Sequence, residues 1–484
     1  MNTPAHDAEF IARLRAILGA NHVLTEAQDI APHLVEARHL ARGSAIAVVR
    51  PGTTAEVAQV VKACHAAHVP MVAHGGNTGL VGGGVPFGGV VIALNRLKAI
   101  RDVDAGNSTM TVEAGVVLAD IQRTAVDAGF LYPVSLASEG SCTIGGNIAT
   151  NAGGTAVLRY GNTRDLVLGL EAVLPDGSIW NGLSGLRKDN AGYDLKHLFI
   201  GSEGTLGIVT AAVLKLFPAP KSRLTAFAGA DGPREIVALF ERLRAAAGEM
   251  LTTFEIIPRF GLELVLRHSP SARDPFASPF ASYALLELTS PNAEAPLEAL
   301  LLDIFEKALE AGEIGDATLA ASRAQGDAFW HIREGLAEFQ KHEGASIKHD
   351  VSVPISRVAD FLIETIALCE AELTGIRPCA FGHIGDGNIH FNLTQPSGME
   401  PQAFLAQWHH FNRIVHDQVA ARGGSVAAEH GVGLFKRDEL PHYKDPVALQ
   451  LMATIKRAMD PQNLMNPGKV IAIGDDLPMF NPGG

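Results

Sequence analysis

The sequence predicts an α+β protein of more than one domain, and three observations carry that expectation. Its 484 residues exceed the roughly 100–200 that one domain ordinarily holds. Alternating strand and helix patterns run from about residue 45 to 220, whereas from 221 on strands and long helices follow in a different rhythm. Glycine occurs 50 times, and 23 of those fall in five short windows, 75–89, 140–154, 201–207, 382–387 and 423–433. The windows show no three-residue period, and 47% of the chain is hydrophobic against 19% charged, so collagen, linker and disordered readings fail. Glycine removes the Cβ that keeps a backbone at a distance, so the chain is expected to approach something closely at several separate places.

The elements follow in order. AIAVVRP, from residue 45, reads as a strand, and Thr53 with Glu56 forms a T-x-x-E box that opens a helix. Val57, Val60, Val61 and Cys64 then share one helix face. PMVAH is the next strand and runs straight into the first glycine window. Strand patterns at 90–94 and 109–114 with a helix near 117–128 make a second α/β stretch. LVLGLEAVLP and GIVTAAVLKLFP add strands, with a PDG turn at 175–177, and complete a first domain over 1–220. Beyond Pro218 and Pro220 come TAFAGA, a helix over 233–247, TTFEII, SYALLELT, a helix over 293–311, DATLAAS, a helix near 324–340, IKHDVSV and a helix near 356–373. That order predicts a second α+β domain, 221–440, with helices covering one face of a mostly antiparallel sheet. A C-terminal segment, 441–484, carries one more helix and NLMNPGKV.

Charge and cysteine usage narrow the partners. A net charge of −13 without long runs of either sign disfavours a polynucleotide, whose phosphates need a basic surface. Cys64, Cys142, Cys369 and Cys379 form no CxxC pair, which disfavours a disulfide framework or an iron–sulfur cluster. The first twenty residues lack the basic and apolar regions of a secretion signal, and no uncharged apolar stretch reaches the ~18 residues of a membrane span. A cytoplasmic protein that does not span a membrane is expected.

The first window, HGGNTGLVGGGVPFGG, could turn backbone N–H groups together onto an anion, or be a surface loop. The chain contains neither G-x-G-x-x-G nor a P-loop, which disfavours a nicotinamide dinucleotide or an NTPase. SEGSCTIGGNIATNAGG, the second window, sets small hydroxyls and amides on a kinked backbone, and GSEGTLGIVT leads directly into a strand. PMVAHGGNTGLVGG, GSCTIGGNIATNAGG, YGNTRDLVLGLEAVLPDG and GSEGTLGIVT together resemble the FAD-binding domain of the vanillyl-alcohol oxidase superfamily, the FAD-linked oxidases. The second half resembles its D-2-hydroxyacid dehydrogenase branch, especially D-2-hydroxyglutarate dehydrogenase, and the likeness runs from about residue 40 to 480.

The resemblance implies a two-part FAD-binding domain, an α+β substrate (cap) domain, and a C-terminal helical segment returning to the FAD domain. It implies that Gly75, Gly76, Asn77, Thr78 and Gly79 hold the FAD pyrophosphate. Ser141, Gly145, Gly146, Asn147, Thr150 and Asn151 would contact flavin and ribityl. Glu203, Gly204 and Ile208 would lie near the adenine, and Asn466 near the isoalloxazine. Some relatives link FAD to a histidine directly after the paired glycines; Asn77 stands there in this chain, so FAD is expected to be non-covalent. His74 departs from the pattern, and reads either as a hydrogen-bonded strand-end histidine or as a flavin link.

In AFGHIGDGNIHFNL a glycine-rich turn separates His383 from His390 and would fold one back beside the other if the flanks are antiparallel strands. With Glu429 of AAEHG they form a His₂Glu set, the donor pattern of catalytic zinc, unless they are satisfied core histidines. The resemblance extends to all three positions and so implies a divalent metal, zinc by preference. His430 reads as a general base, since a free imidazole titrates near ~6.5, or as a residue that orients Glu429. Arg333, Lys348 and Asn392 match the family's substrate-binding positions, while Ala337 stands where hydroxyglutarate-selective relatives can present a hydroxyl. FAD-dependent oxidation of a D-2-hydroxy acid is therefore expected, with D-2-hydroxyglutarate as first choice. The alternative is D-lactate or glycolate with electrons passed to a separate partner. The acceptor, a protein or a quinone, stays open, as does a homodimer. A metallohydrolase without flavin and a non-catalytic flavoprotein subunit are the other classes.

Overall fold

A computed structural model describes residues 4–473; the extreme ends of the first and last expected segments, 1–3 and 474–484, lie outside the described residues. The chain divides into two compact units. The first takes residues up to 153, Gly161–Pro218 and the described chain from His430 on; the second takes Gly154–Tyr160 and Ala219–Glu429.

In the first unit, β1 (Val23–Leu24), β2 (Ala47–Val49), β3 (Met71–His74) and β4 (Val90–Ala93) form a sheet in the order β1-β2-β4-β3. β1 runs antiparallel to β2, while β4 is parallel to both β2 and β3. The helix Thr54–Ala66 joins β2 to β3. Its Thr53 hydroxyl accepts the Glu56 N–H at 3.1 Å, and Val57, Val60, Val61 and Cys64 are fully buried. Parallel neighbours cannot be joined by a tight turn and ordinarily use a helix to cross over. Between β3 and β4 the crossover is the first glycine window alone, with no helix in it.

A second, wholly antiparallel sheet contains β5 (Ile100–Asp104), β6 (Thr109–Glu113), β8 (Val167–Val173), β9 (Ile179–Gly182) and β10 (Ile208–Lys215), in the order β5-β6-β10-β8-β9. Between these strands in the chain, β7 (Phe130–Leu131) pairs with β11 (Phe217–Pro218). Part of the second glycine window is a helix, Ile144–Thr150, rather than irregular backbone. The tail returns through the helix Pro446–Met459. Lys456 on it is buried, and its ammonium donates to Asp460 (2.6 Å) and to the carbonyls of Met465 (2.8 Å) and Thr205 (2.9 Å).

The second unit is built on one seven-stranded antiparallel sheet: β12 (Ser222–Ala230), β13 (Leu251–Pro258), β14 (Ser282–Ser290), β15 (Asp316–Leu319), β16 (Ser346–Ser352), β17 (Arg377–His383) and β18 (Asn388–Thr394). Their order is β15-β12-β14-β13-β17-β18-β16. Helices cover both faces rather than the one expected. Phe254 packs edge-on against Phe240 of the helix Pro233–Ala247, whereas its neighbour Glu255 bonds Arg333 of the helix Arg323–Phe339. Successive strand residues point to opposite faces, so these two helices lie on opposite sides. The physical reason is visible in β14, where all nine residues are buried; a strand apolar on both sides needs cover on both.

Candidate active site

Of the fifteen residues expected around FAD, twelve line one pocket of the first unit: Gly75, Gly76, Asn77, Thr78, Gly79, Gly145, Gly146, Asn147, Thr150, Glu203, Gly204 and Ile208. The glycines there serve two purposes. A Cβ at Gly75 would stand 2.2 Å from Thr143 Oγ1 and one at Gly76 2.1 Å from the Ser141 carbonyl, so these two let the first and second windows pack together. A Cβ at Gly79 or Gly204 would meet nothing within 4 Å, which marks space kept open. Two buried polar atoms on the lining, Thr143 Oγ1 and Asn147 Nδ2, have no hydrogen-bond partner among the described residues. Buried donors are ordinarily paired, so a polar ligand is the missing partner, and FAD fits.

The other three expected residues are not part of that lining. The Ser141 hydroxyl donates to the Ser138 carbonyl at 3.2 Å, and Asn151, at φ +51°, ends the Ile144–Thr150 helix while accepting the Arg164 N–H at 2.9 Å. The Asn466 amide donates to the carbonyls of Gly83 (2.9 Å) and Glu203 (2.8 Å). Glu203, at φ +53°, accepts the N–H groups of Val432 (2.8 Å) and Gly433 (2.9 Å). Burial pushes its carboxyl up to about 7, against the lowering effect of those two bonds. His74 is buried with both ring nitrogens engaged. Nε2 donates to the Gly84 carbonyl at 2.6 Å, Nδ1 lies 3.4 Å from Nδ1 of His33, and the two rings stack. Burial holds its imidazole down at about 4, so it is neutral.

The second unit gathers Lys348, Asn392, His383 and His390 on one sheet face. Register sets Lys348 opposite Asn392, both Asp350 and Phe381 opposite His390, and Glu255 opposite His383. The turn between β17 and β18 closes by the Gly387 N–H donating to the His383 carbonyl at 3.0 Å, with Gly387 at φ +79°. It brings the His383 and His390 rings to 5.5 Å between centroids. β16 is an edge strand, and the segment after Gly424 runs along it: Ser352 and Ser425 exchange backbone hydrogen bonds at 2.9 and 2.8 Å. That carries Glu429 to Asp350, whose carboxylate accepts the Glu429 N–H at 3.0 Å.

Asp350, His390 and Glu429 thereby offer ligand atoms within 4.8 Å of one another, and His390 Nε2 stands 3.6 Å from Glu429 Oε1. An imidazole with two carboxylates suits a divalent cation. His383 stands beside this group, its Nδ1 donating to Glu255 at 2.5 Å. Burial opposes charge on His383, but the Glu255 carboxylate outweighs it and lifts the imidazole to about 9. Burial likewise opposes charge on Glu255, yet Arg333 and His383 hold it down at about 2.

Arg333 donates from Nε to Glu255 at 2.7 Å, with its guanidinium 4.8 Å from the Phe381 ring centre, so the anionic partner that a buried cation requires is a residue of the chain itself. Lys348 is half-buried at the middle of β16. Asn392 is buried and donates to Gln340 Oε1 at 2.8 Å; Ala337 is exposed. His430 follows Glu429 in the chain and lines the pocket of the first unit. Sequence reasoning missed Asp350 and Glu255. Asp350 had a signal, lying two residues from Lys348 and hence on its side of the strand; Glu255 had only the oddity of a charge inside TTFEIIP. Among the described residues, no helix is long and apolar enough to cross a membrane.

Residues 45–182 match the family described as FAD binding domain, and residues 219–470 the family described as FAD linked oxidases, C-terminal domain. A D-2-hydroxyglutarate dehydrogenase of Xanthomonas citri pv. viticola is 39% identical over 434 residues, covering 89% of this chain and 90% of its own. The mitochondrial D-2-hydroxyglutarate dehydrogenase of Bos taurus is 38% identical over 460 residues, covering 93% of this chain and 81% of its own. In fold, the chain superposes on p-cresol methylhydroxylase with a TM-score of 0.76 at 19% identity, covering 98% of this chain and 99% of that one.

Proposed function

The chain belongs to the D-2-hydroxyglutarate dehydrogenase family of FAD-linked oxidases, and on that footing we propose that it oxidises D-2-hydroxyglutarate to the 2-oxo acid. The observation that carries this choice of substrate is the single polar sheet face of the second unit, where Arg333 and Lys348 accompany the Asp350, His390 and Glu429 group. A dicarboxylate needs two cations, and Arg333 and Lys348 supply them, with Asn392 as a further polar contact. A ring nitrogen of His430 takes the proton of the substrate hydroxyl. FAD, bound without a covalent link in the pocket lined by Gly75–Gly79 and Asn147, supplies the hydride acceptor. A divalent metal, zinc by preference, held by His390, Glu429 and His383 with Asp350 close by, would supply Lewis acidity toward the hydroxyl. A separate protein or quinone takes the electrons, and the cytoplasm is the expected location.

An anaerobic screen of the yellow holoenzyme with D- and L-2-hydroxy acids tests the proposal. D-2-hydroxyglutarate is expected to bleach the flavin and its L-enantiomer to leave it coloured. Faster bleaching by D-lactate or glycolate would transfer the assignment to those acids. A protein that stays colourless with added FAD would end the flavoenzyme reading. Replacing His430 by Ala is expected to lower kcat by about 10²–10⁴ while the flavin absorbance persists.

A further inference from the structure

Glu255 has no role in the chemistry described so far, yet it is the most completely enclosed carboxylate on the polar sheet face, with 0% of its surface exposed. It sits at the centre of β13, directly across from His383 of β17. An ionised carboxylate so placed is tolerated only when both oxygens are paired. One oxygen accepts His383 Nδ1–H and the other accepts Arg333 Nε–H, at 2.5 and 2.7 Å. The two partners come from different elements, a strand and the helix Arg323–Phe339, and Glu255 is what they share.

Each arm of this fork fixes an orientation. A carboxylate on Nδ1–H fixes the orientation of the His383 ring and leaves Nε2, once a metal displaces its proton, as the ligand atom. On the other side, the Arg333 guanidinium is held by its Nε edge and by the Phe381 ring, and neither Nη makes a hydrogen bond among the described residues. Those Nη groups are the ones a substrate carboxylate would engage. We propose that Glu255 is a positioning residue that ties the substrate-binding arginine to the metal-binding histidine, so that metal affinity and substrate affinity depend on one buried carboxylate. The inference rests on the functional reading above and adds to it a coupling between two sites that would otherwise be independent.

The test uses the full-length holoenzyme, stripped of metal with a chelator and titrated with Zn²⁺ by calorimetry, alongside kcat and KM for D-2-hydroxyglutarate. Glu255→Gln keeps the shape but can accept only one of the two N–H groups. It is expected to weaken Zn²⁺ binding about 10–100-fold, the range for loss of a partner behind a ligating histidine, and to raise KM in the same variant. Arg333→Gln, which leaves every candidate metal ligand in place, is expected to raise KM and also to weaken Zn²⁺ binding several-fold, because Glu255 then loses its second anchor. The flavin spectrum and the circular dichroism report folding; should Glu255→Gln not fold, Arg333→Gln decides alone. Wild-type Zn²⁺ affinity in Arg333→Gln, or wild-type Zn²⁺ affinity and KM in a folded Glu255→Gln, would overturn the coupling and leave the functional reading standing. A wild-type protein that binds no Zn²⁺ and turns over no 2-hydroxy acid would overturn both.

Discussion

At the scale of single residues, His74 carries a pH dependence whose sign is fixed by its surroundings. Burial holds its imidazole at about 4, against ~6.5 for a free histidine, so the unfolded chain binds a proton where the folded chain does not. Its contribution to stability is complete above about pH 6.5 and is lost progressively as pH falls toward 4, by on the order of 3 kcal/mol. His74→Gln, which can still donate to the Gly84 carbonyl, is expected to flatten that slope in denaturant unfolding followed at pH 7.5 and 5.0. An unaltered slope would place its origin in another group. Glu203 works in the opposite sense. Its carboxyl, raised to about 7 by burial, favours the fold at low pH and loses that advantage as pH rises from 4.5 through 7.

At the scale of elements, the β17–β18 hairpin holds His383 and His390 in register through a turn that only glycine fits well. A Cβ on Gly387 would stand 2.1 Å from the Val353 carbonyl, and its φ is +79°. Gly387→Ala is expected to destabilise the second unit by about 1–3 kcal/mol and to weaken Zn²⁺ binding, with FAD retained in the first unit; calorimetric melting and flavin absorbance check both. This hairpin was legible in advance because turn chemistry and flanking alternation are local signals, as was the Thr54–Ala66 helix with its Thr53 cap. Other elements escaped for a local reason as well, among them Ile144–Thr150, whose paired glycines disguise a helix, and Arg259–His268, which begins directly after Pro258 of β13 with no connecting loop. Glu255 and Asp350 escaped for a different reason. Their meaning lies in cross-strand register, with Glu255 opposite His383 and Asp350 opposite His390, and register is set by pairings that no window of sequence contains.

On the scale of the whole molecule, the first unit is assembled from stretches far apart in the chain, and Lys456 is one of its fasteners. Replacing Lys456 by Met would remove three hydrogen bonds and leave Asp460, 2% exposed, as a buried charge with no cation, held only by the N–H groups of Leu464 and Met465. A loss of about 3–5 kcal/mol is expected in denaturant unfolding, accompanied by weaker FAD retention. The same fastener also bears on the order in which the protein is made. Its lysine lies 251 residues beyond the Thr205 carbonyl that it grips, and the stretch 219–429 is synthesised in between. On the ribosome, therefore, the second unit can complete itself first, while the first waits, with its flavin pocket unfinished, for the last part of the chain to emerge. A released chain truncated at residue 440 should accordingly resist protease across the second unit and hold no flavin.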